Sequence, residues 1–501
     1  MARPSSGDVK ELTVTFQPPL YLERRGWIFE ILRREDVHTV LDVGCGEGEL
    51  ISCLCNPAPW LPPPPTSVLD SLANCAGNTA DACDNFHIAA ALPEVYLHPT
   101  KVIGLDIAPN DLKYAIEGTA PRNSIRWSPL EVNIWQGSLE SINPEFIGIE
   151  CIVSTEVIEH LPDETLRDFA PVLLGAYHPR LLLITTPSYT FNTRFLPPDV
   201  PSSARNGFPD PTGRTTRIFR HHDHKFEWTV EEFRQWCQIV AEDWGYDVDV
   251  SGVGKPVEKD EWGRDEELGY ASQVAAFRRR EGQPHEEHRC AKLLAASVLQ
   301  RTENRPKHKL LATHQHIAHE RTHQPQALDE IGICVVDKMV YYQDTVMRVG
   351  ELWSEDAISE QCGGWLDVLI KAVDVHPDLQ LCSSHTKTLS NWEIVLKGRV
   401  FKEKVLWQEQ TLDMQHNNNS PSSVGSFEEL VTPDDGDHKG FEGVIWHDDP
   451  LRKITHGDEV TEPSLAPHDL VGNWDSWKST TGGWDDSNAS DTFNSIGGWG
   501  S

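Results

Sequence analysis

No stretch of this chain is apolar for the length of a membrane span, so no transmembrane helix is expected. The opening residues, Met1 to Gly7, lack the apolar core of a secretory signal. The eleven cysteines form no paired framework, and their number is odd. Without a secretion signal they read as reduced thiols, in the cytosol or also the nucleus. Cys53 and Cys55 stand too close for a zinc CxxC, and no second pair follows at zinc-ribbon spacing. Positive charge is short. The 44 Lys and Arg face 77 Asp and Glu, a net charge of -33. That argues against broad, nonspecific nucleic-acid binding, which depends on neutralising phosphates. It leaves room for a protein that grips only the end of a strand. Apolar residues are lean at 39%, which points to portions without a packed core.

A chain of 501 residues is long enough for two or three domains. Leu22 to Arg34 reads as a helix, with Trp27, Ile28, Ile31 and Leu32 on one stripe. His38 to Val43 is a buried strand that runs into Gly44-Cys-Gly-Glu-Gly48 and a helix start. Strand, glycine turn and helix open a doubly wound sheet. Residues 56–98, rich in proline and small polar residues, read as a mobile surface insertion. Strands then alternate with helices: Lys101 to Asp106, the end of Trp127 to Gln136, Glu150 to Ser154, Arg180 to Thr186, Tyr246 to Val253, Tyr270 to Phe277. The pattern predicts an α/β domain over residues 1–280. Residues 281–330 read as a polar, His-rich linker, without the Cys or acid that would complete a metal site from its histidines. Residues 331–410 read as a small α/β extension. Residues 411–501, acidic and rich in Asn, Ser, Gly and Asp, read as a disordered tail.

The segment Cys151 to His160 concentrates the chemistry. A buried strand is expected to break into a short helix carrying Glu156, Glu159 and His160. On a helix these positions share one face. A solvated helix face is the ordinary reading. The glycine loop upstream and His221, His222 and His224 downstream favour a site instead. Two Glu, one His and a further His make an O/N ligand set. Its oxygens suit Mg or Mn, and its imidazoles suit a transition metal.

Asp42-Val-Gly-Cys-Gly-Glu-Gly48 resembles the first motif of class I (Rossmann-like) S-adenosylmethionine methyltransferases. By that resemblance, Gly44 and Gly46 let the backbone approach the amino-acid end of S-adenosyl-L-methionine. Asp42 orients its ammonium group, Asp106 accepts the ribose hydroxyls, and Ser138 follows the strand where adenine is framed. The likeness then narrows. Phe16-x-Pro-Pro-Leu-Tyr21 with Arg24, Gln136-Gly-Ser138, Glu156-Val-Ile-Glu-His160, Thr186-Pro187, Phe191-Asn192, Asp223-His-Lys-Phe-Glu-Trp-Thr229 and Val250-Ser-Gly-Val-Gly254 together resemble the small-RNA 3′-terminal 2′-O-methyltransferases. The resemblance covers residues 12–280. It implies methylation of the 2′-hydroxyl of the 3′-terminal nucleotide of microRNA, siRNA or piRNA, with Mg or Mn. The implied metal ligands and catalytic residues are Glu156, Glu159, His160 and His224. His221 and His222 are left without a role. Glu23, Ser188 and Val230 depart from the residues usual in that family, where glutamine, asparagine and arginine stand.

The tail carries a second signal. Trp474, Trp477, Trp484 and Trp499 sit in a segment with no core to bury them. They resemble the GW/WG hooks that dock on Argonaute proteins. Two rival functions remain open at this point: a metal-dependent O-methyltransferase of a small-molecule diol, and a non-catalytic Argonaute-binding scaffold.

Overall fold

Residue parity decides which side of the sheet each strand side chain meets. In β1 (Thr39–Val43) Leu41 and Val43 enter one core with Ile103 and Ile152, while Val40 enters another with Val102 and Val153. A strand buried on both faces belongs in the middle of a sheet covered by helices. The computed structural model describes residues 11–75, 96–198, 200, 206–302, 305–382 and 388–399. All of them lie in one compact unit.

The main sheet contains β1, β2 (Lys101–Asp106), β3 (Leu130–Gln136), β4 (Cys151–Thr155) and β5 (Leu181–Pro187), all parallel. A two-residue ribbon, β6 (Phe208–Pro209) and β7 (Ile218–Phe219), stands outside it. The sheet is completed by β8 (Tyr246–Val253), β9 (Ser272–Arg279) and β10 (Lys309–His316). Its spatial order is β10-β3-β2-β1-β4-β5-β9-β8, with β9 antiparallel to both neighbours. This is the Rossmann-like class I methyltransferase sheet, extended by one edge strand. The order of travel reverses between β1 and β4, and open α/β sheets place their ligands at the carboxyl ends of strands at such a point.

The helix Val230–Trp244 shows why the local sequence folds as it does. Thr229 Oγ1 accepts from the Glu232 amide at 3.3 Å, and Glu232 Oε2 accepts from the Thr229 amide at 2.8 Å. This reciprocal cap fixes the helix start. Phe233, Trp236, Cys237, Val240, Ala241 and Trp244 then recur at helical spacing and are buried. Burying one such large side chain stabilises by roughly 1.5–3 kcal/mol.

The expected linker at 281–330 is not a linker. Helices occupy Gln283–Ala295 and Val298–Thr302, and β10 pairs antiparallel with β3. The histidines that made the segment look solvated serve the strand. His314 Nε2 meets the Ile116 carbonyl and His316 Nε2 the Thr119 carbonyl, both at 3.0 Å. These contacts satisfy carbonyls at the end of the helix Asp111–Gly118.

The rest of the described chain builds a second core. The helices Leu328–Tyr342 and Leu366–Val375 pack beside a small sheet, β11 (Val346–Arg348), β12 (Leu379–Cys382) and β13 (Glu393–Leu396), in the order β11-β13-β12. This core also buries Leu61 and Trp127. Part of the proline-rich insertion is therefore packed: Trp60, Leu61, Val68, Leu69 and Leu72 join this core, and Trp127 Nε1 and Trp353 Nε1 both donate to the Pro59 carbonyl, at 3.0 and 2.7 Å. Residues 76–95 and the tail 411–501, with its four tryptophans, lie outside the described residues.

Candidate cofactor and metal site

Two clusters meet at the carboxyl ends of β1, β2 and β4. The first is the glycine loop. Gly44 has φ +76, and a Cβ there would stand 2.4 Å from Val157 Cγ2. Only glycine fits both that backbone and that approach. The Gly44 amide donates to the Leu105 carbonyl and the Gly46 amide to Asp106 Oδ2, each at 2.8 Å. Asp106 Oδ1 accepts from the Ala108 amide at 2.8 Å. The loop is thus pinned to the end of β2. Asp42, 3% exposed, and Gly44 line a cleft of 280 Å³ with Tyr21, Arg24, Cys45 and Thr155. Burial, reinforced by Asp106, pushes the Asp42 carboxyl up to about 7. Ser138 lies just past β3, and its carbonyl meets His308 Nε2 at 2.8 Å.

The second cluster follows β4. It is not the regular helix expected. Glu156 takes a left-handed backbone, φ +53, and Ile158–His160 is one tight turn. A glutamate at positive φ is strained, and such strain gathers at functional sites. The kink leaves Glu156 close enough to Glu159 to act on its charge, while His160 faces His221 and His224. Glu156 Oε2 meets Arg24 Nη2 at 2.7 Å, and Glu156 Oε1 accepts from Thr185 Oγ1 at 2.8 Å. Glu159 is fully buried. Its Oε2 accepts from Thr186 Oγ1 at 3.0 Å, and its Oε1 has no hydrogen-bond partner among the described residues. Burial raises both carboxyls, and for Glu159 the neighbouring Glu156 raises it further. Burial and the nearby His224 lower His160.

The loop 220–224 closes this cluster. One ring nitrogen from each of His160, His221 and His224 lies within 4.8 Å of the other two. Nδ1 of His160 faces Asp223 Oδ2 at 3.2 Å, and Nδ1 of His224 faces Glu227 Oε1 at 2.7 Å. An imidazole that gives its Nδ1–H to a carboxylate presents the Nε2 lone pair outward. Glu227 is itself buried and held by Asn192 Nδ2 at 2.6 Å. An orphaned buried carboxylate oxygen, two raised carboxyls and two clustered imidazoles, one of them turned by a buried carboxylate, make a donor set that fits a divalent cation.

The structure therefore brings Glu156, Glu159, His160 and His224 to one end of the sheet, and Asp42, Gly44, Gly46 and Asp106 to the adjoining cleft. Arg24 joins the two, lining the cleft and pairing with Glu156. Asp223, Glu227 and Thr186 stood in the quoted motifs without an assigned role, and Thr185 was not singled out.

No family model matches the chain. Curated relatives do. A small RNA 2′-O-methyltransferase from Arabidopsis thaliana is 30% identical over 268 residues, 53% of this chain and 23% of the relative. One from Gallus gallus is 28% identical over 268 residues, 53% of this chain and 55% of the relative. Over about half its length the chain is similar to small RNA 2′-O-methyltransferases. It covers under two thirds of either relative. A crystal structure of the small RNA methyltransferase HEN1 is 26% identical, covering 55% of this chain and 27% of that one, with a TM-score of 0.36. Within the small RNA 2′-O-methyltransferase frame, two of the three unusual residues have structural partners. Glu23 Oε2 accepts from the Gly254 amide at 3.0 Å. Ser188, 1% exposed, accepts from the Phe191 amide at 3.4 Å. Nothing in the structure explains valine rather than arginine at 230.

Proposed function

We propose that this chain methylates the 2′-hydroxyl of the 3′-terminal nucleotide of a small RNA, using S-adenosyl-L-methionine and Mg or Mn. The observation that supports the reading is the clustering of His160 with His224, whose Nδ1 faces the buried Glu227, together with the unpartnered Glu159 oxygen and with Arg24, which pairs with Glu156 and lines the glycine-loop cleft. Asp42 would face the cofactor's ammonium group, Asp106 its ribose hydroxyls, and the Ser138 turn its adenine. Glu156, Glu159, His160 and His224 would hold the cation. When bound, the cofactor supplies an electrophilic methyl group and the cation acidifies the adjacent hydroxyls of a terminal ribose. The chain's own part is positioning. Glu227, facing Nδ1 of His224 at 2.7 Å, would hold the His224 proton there and leave its Nε2 free for the cation. Thr185 and Thr186 hold the two carboxylates on one side of the site. A DNA end lacks one hydroxyl and a 3′-phosphate blocks the other, so the site should reject both.

The test is labelled cofactor, a 3′-hydroxyl small RNA, and periodate. Label should enter the RNA and the end should resist oxidation, while 3′-phosphate RNA and catechol take none. Label in an end that periodate still cleaves would place the methyl elsewhere and sink the reading.

The tail adds a partner to this proposal. The GW/WG pattern supports docking of Trp474, Trp477, Trp484 and Trp499 on an Argonaute protein. Trp484 and Trp499 stand fifteen residues apart in a Gly/Ser/Asp-rich sequence, and two weak contacts on one partner would gain from acting together. Residues 411–501 should capture Argonaute, and the Trp484→Ala, Trp499→Ala double variant should capture much less. Equal capture by both would leave the tail as an acidic solubilising chain.

A further inference from the structure

We infer that His221 is a third imidazole ligand of the proposed cation centre, one that the resemblance does not assign. The inference rests on the reading that a divalent cation is held there. Its own evidence is geometric. His221 shares the 4.8 Å cluster with His160 and His224. Its ring centroid lies 5.1 Å from that of His224 and 5.7 Å from that of His160. Three nitrogens bound to one ion at roughly 2.0–2.1 Å each stand about 3.0–3.6 Å apart, so a separation near the 4.8 Å bound needs to close by about 1–2 Å, within reach of a ring rotation.

His221 is the member able to make that move. It is exposed on the loop, whereas His224 is 11% exposed and tied to Glu227. The hydrogen bond that His221 Nδ1 accepts from the Asp223 amide is 3.3 Å long. Turning the ring exchanges that long contact, at the protein surface, for the shared point between the other two rings. The loop itself is anchored on both sides of His221. The Arg220 amide donates to Glu227 Oε1 at 3.1 Å, and the Lys225 amide to the Glu159 carbonyl at 2.8 Å. The residues that orient His224 and continue from Glu159 therefore also place His221. Its neighbour His222 packs on it, ring centroids 4.5 Å apart, and reaches Phe208 at 5.9 Å, but it is outside the three-nitrogen cluster.

A third imidazole changes what the centre selects. Mg takes oxygen and keeps its waters, whereas Co and Zn gain from each added nitrogen. His221 should therefore matter for Co and hardly at all for Mg.

The experiment is Co²⁺ titration of the full-length, chelator-stripped protein, read by equilibrium dialysis and by the visible absorption of the bound ion. His221→Asn keeps an acceptor for the Asp223 amide, and an exposed loop position should leave the metal-free melting curve unchanged. This variant should bind Co²⁺ at least about tenfold more weakly than wild type, with an altered spectrum and unchanged Mg²⁺ binding. His222→Asn should match wild type, and His224→Ala should lose the ion. If His221→Asn keeps both affinity and spectrum while His224→Ala loses the ion, His221 is no ligand and the centre stands without it. Wild type that takes up no Co²⁺ overturns the centre and this ligand together.

Discussion

Asp42 holds a carboxyl where the free protein would rather have none ionised. It is 3% exposed, and burial raises it to about 7. A group raised in the folded state stabilises fully below its unfolded value and loses that contribution as pH rises through the folded one. For Asp42 the window runs from about 4 to about 7 in the free protein. The proposed contact with the cofactor's ammonium group reverses the preference, because a cation favours the ionised form. At pH 6 about nine tenths of Asp42 would be protonated, so cofactor affinity should be about tenfold lower there than at pH 8. Asp42→Asn should remove that pH dependence and bind weakly throughout. It should also melt higher than wild type at pH 8 without cofactor, since it removes the ionised buried group. Calorimetric titration from pH 5.5 to 8.5, with a melting series beside it, reads both effects. Parallel pH profiles for wild type and variant would remove Asp42 from the ammonium contact.

At the scale of the elements, what could be read ahead depended on how local the signal was. β1 to β5 announced themselves because a central strand is apolar on both faces and ends at a glycine or an acid. The glycine loop and the run Glu156, Glu159, His160 could be singled out for the same reason, since their residues are close in sequence. The account of their geometry was wrong in one respect. A helical face was expected, and a left-handed Glu156 with one tight turn stands there instead. Nothing in a glutamate's identity marks it for positive φ; that conformation is imposed by strand, loop and turn together. β10 was missed because its period-two pattern is written in His, Thr and Gln, residues that read as solvent-facing. Its histidines are satisfied by carbonyls of a helix almost two hundred positions earlier, a partner no local window contains. The roles of Asp223 and Glu227 were hidden likewise. They lie in which ring nitrogen each residue faces, and composition does not record that.

The whole molecule sets the methyltransferase sheet and the second core into one unit, joined by the insertion. Leu61 and Trp127, from the sheet's side of the chain, are buried with Trp353, Trp365 and Leu369. The Leu61 amide donates to the Gly364 carbonyl at 2.8 Å, and the His319 amide to the Arg126 carbonyl at 2.7 Å. Trp127 and Trp353 share the Pro59 carbonyl. A chain ending at residue 327 would bare Trp127 and Leu61 and leave Trp127 without Trp353 beside it. Losing the cover of one large apolar side chain costs on the order of 1.5–3 kcal/mol, a large part of a marginal stability. Truncation at 327 should therefore lower the melting temperature by several degrees and promote aggregation, whereas truncation at 410 should leave the melt where it was. The same pair of truncations separates stability from catalysis. Removal of 411–501 takes away no described part of the Asp42 cleft or the Glu159 cluster, so turnover on naked RNA should persist. A fragment 1–327 that melts like the full chain would show that the second core is an independent module and that Trp127 needs no cover from it.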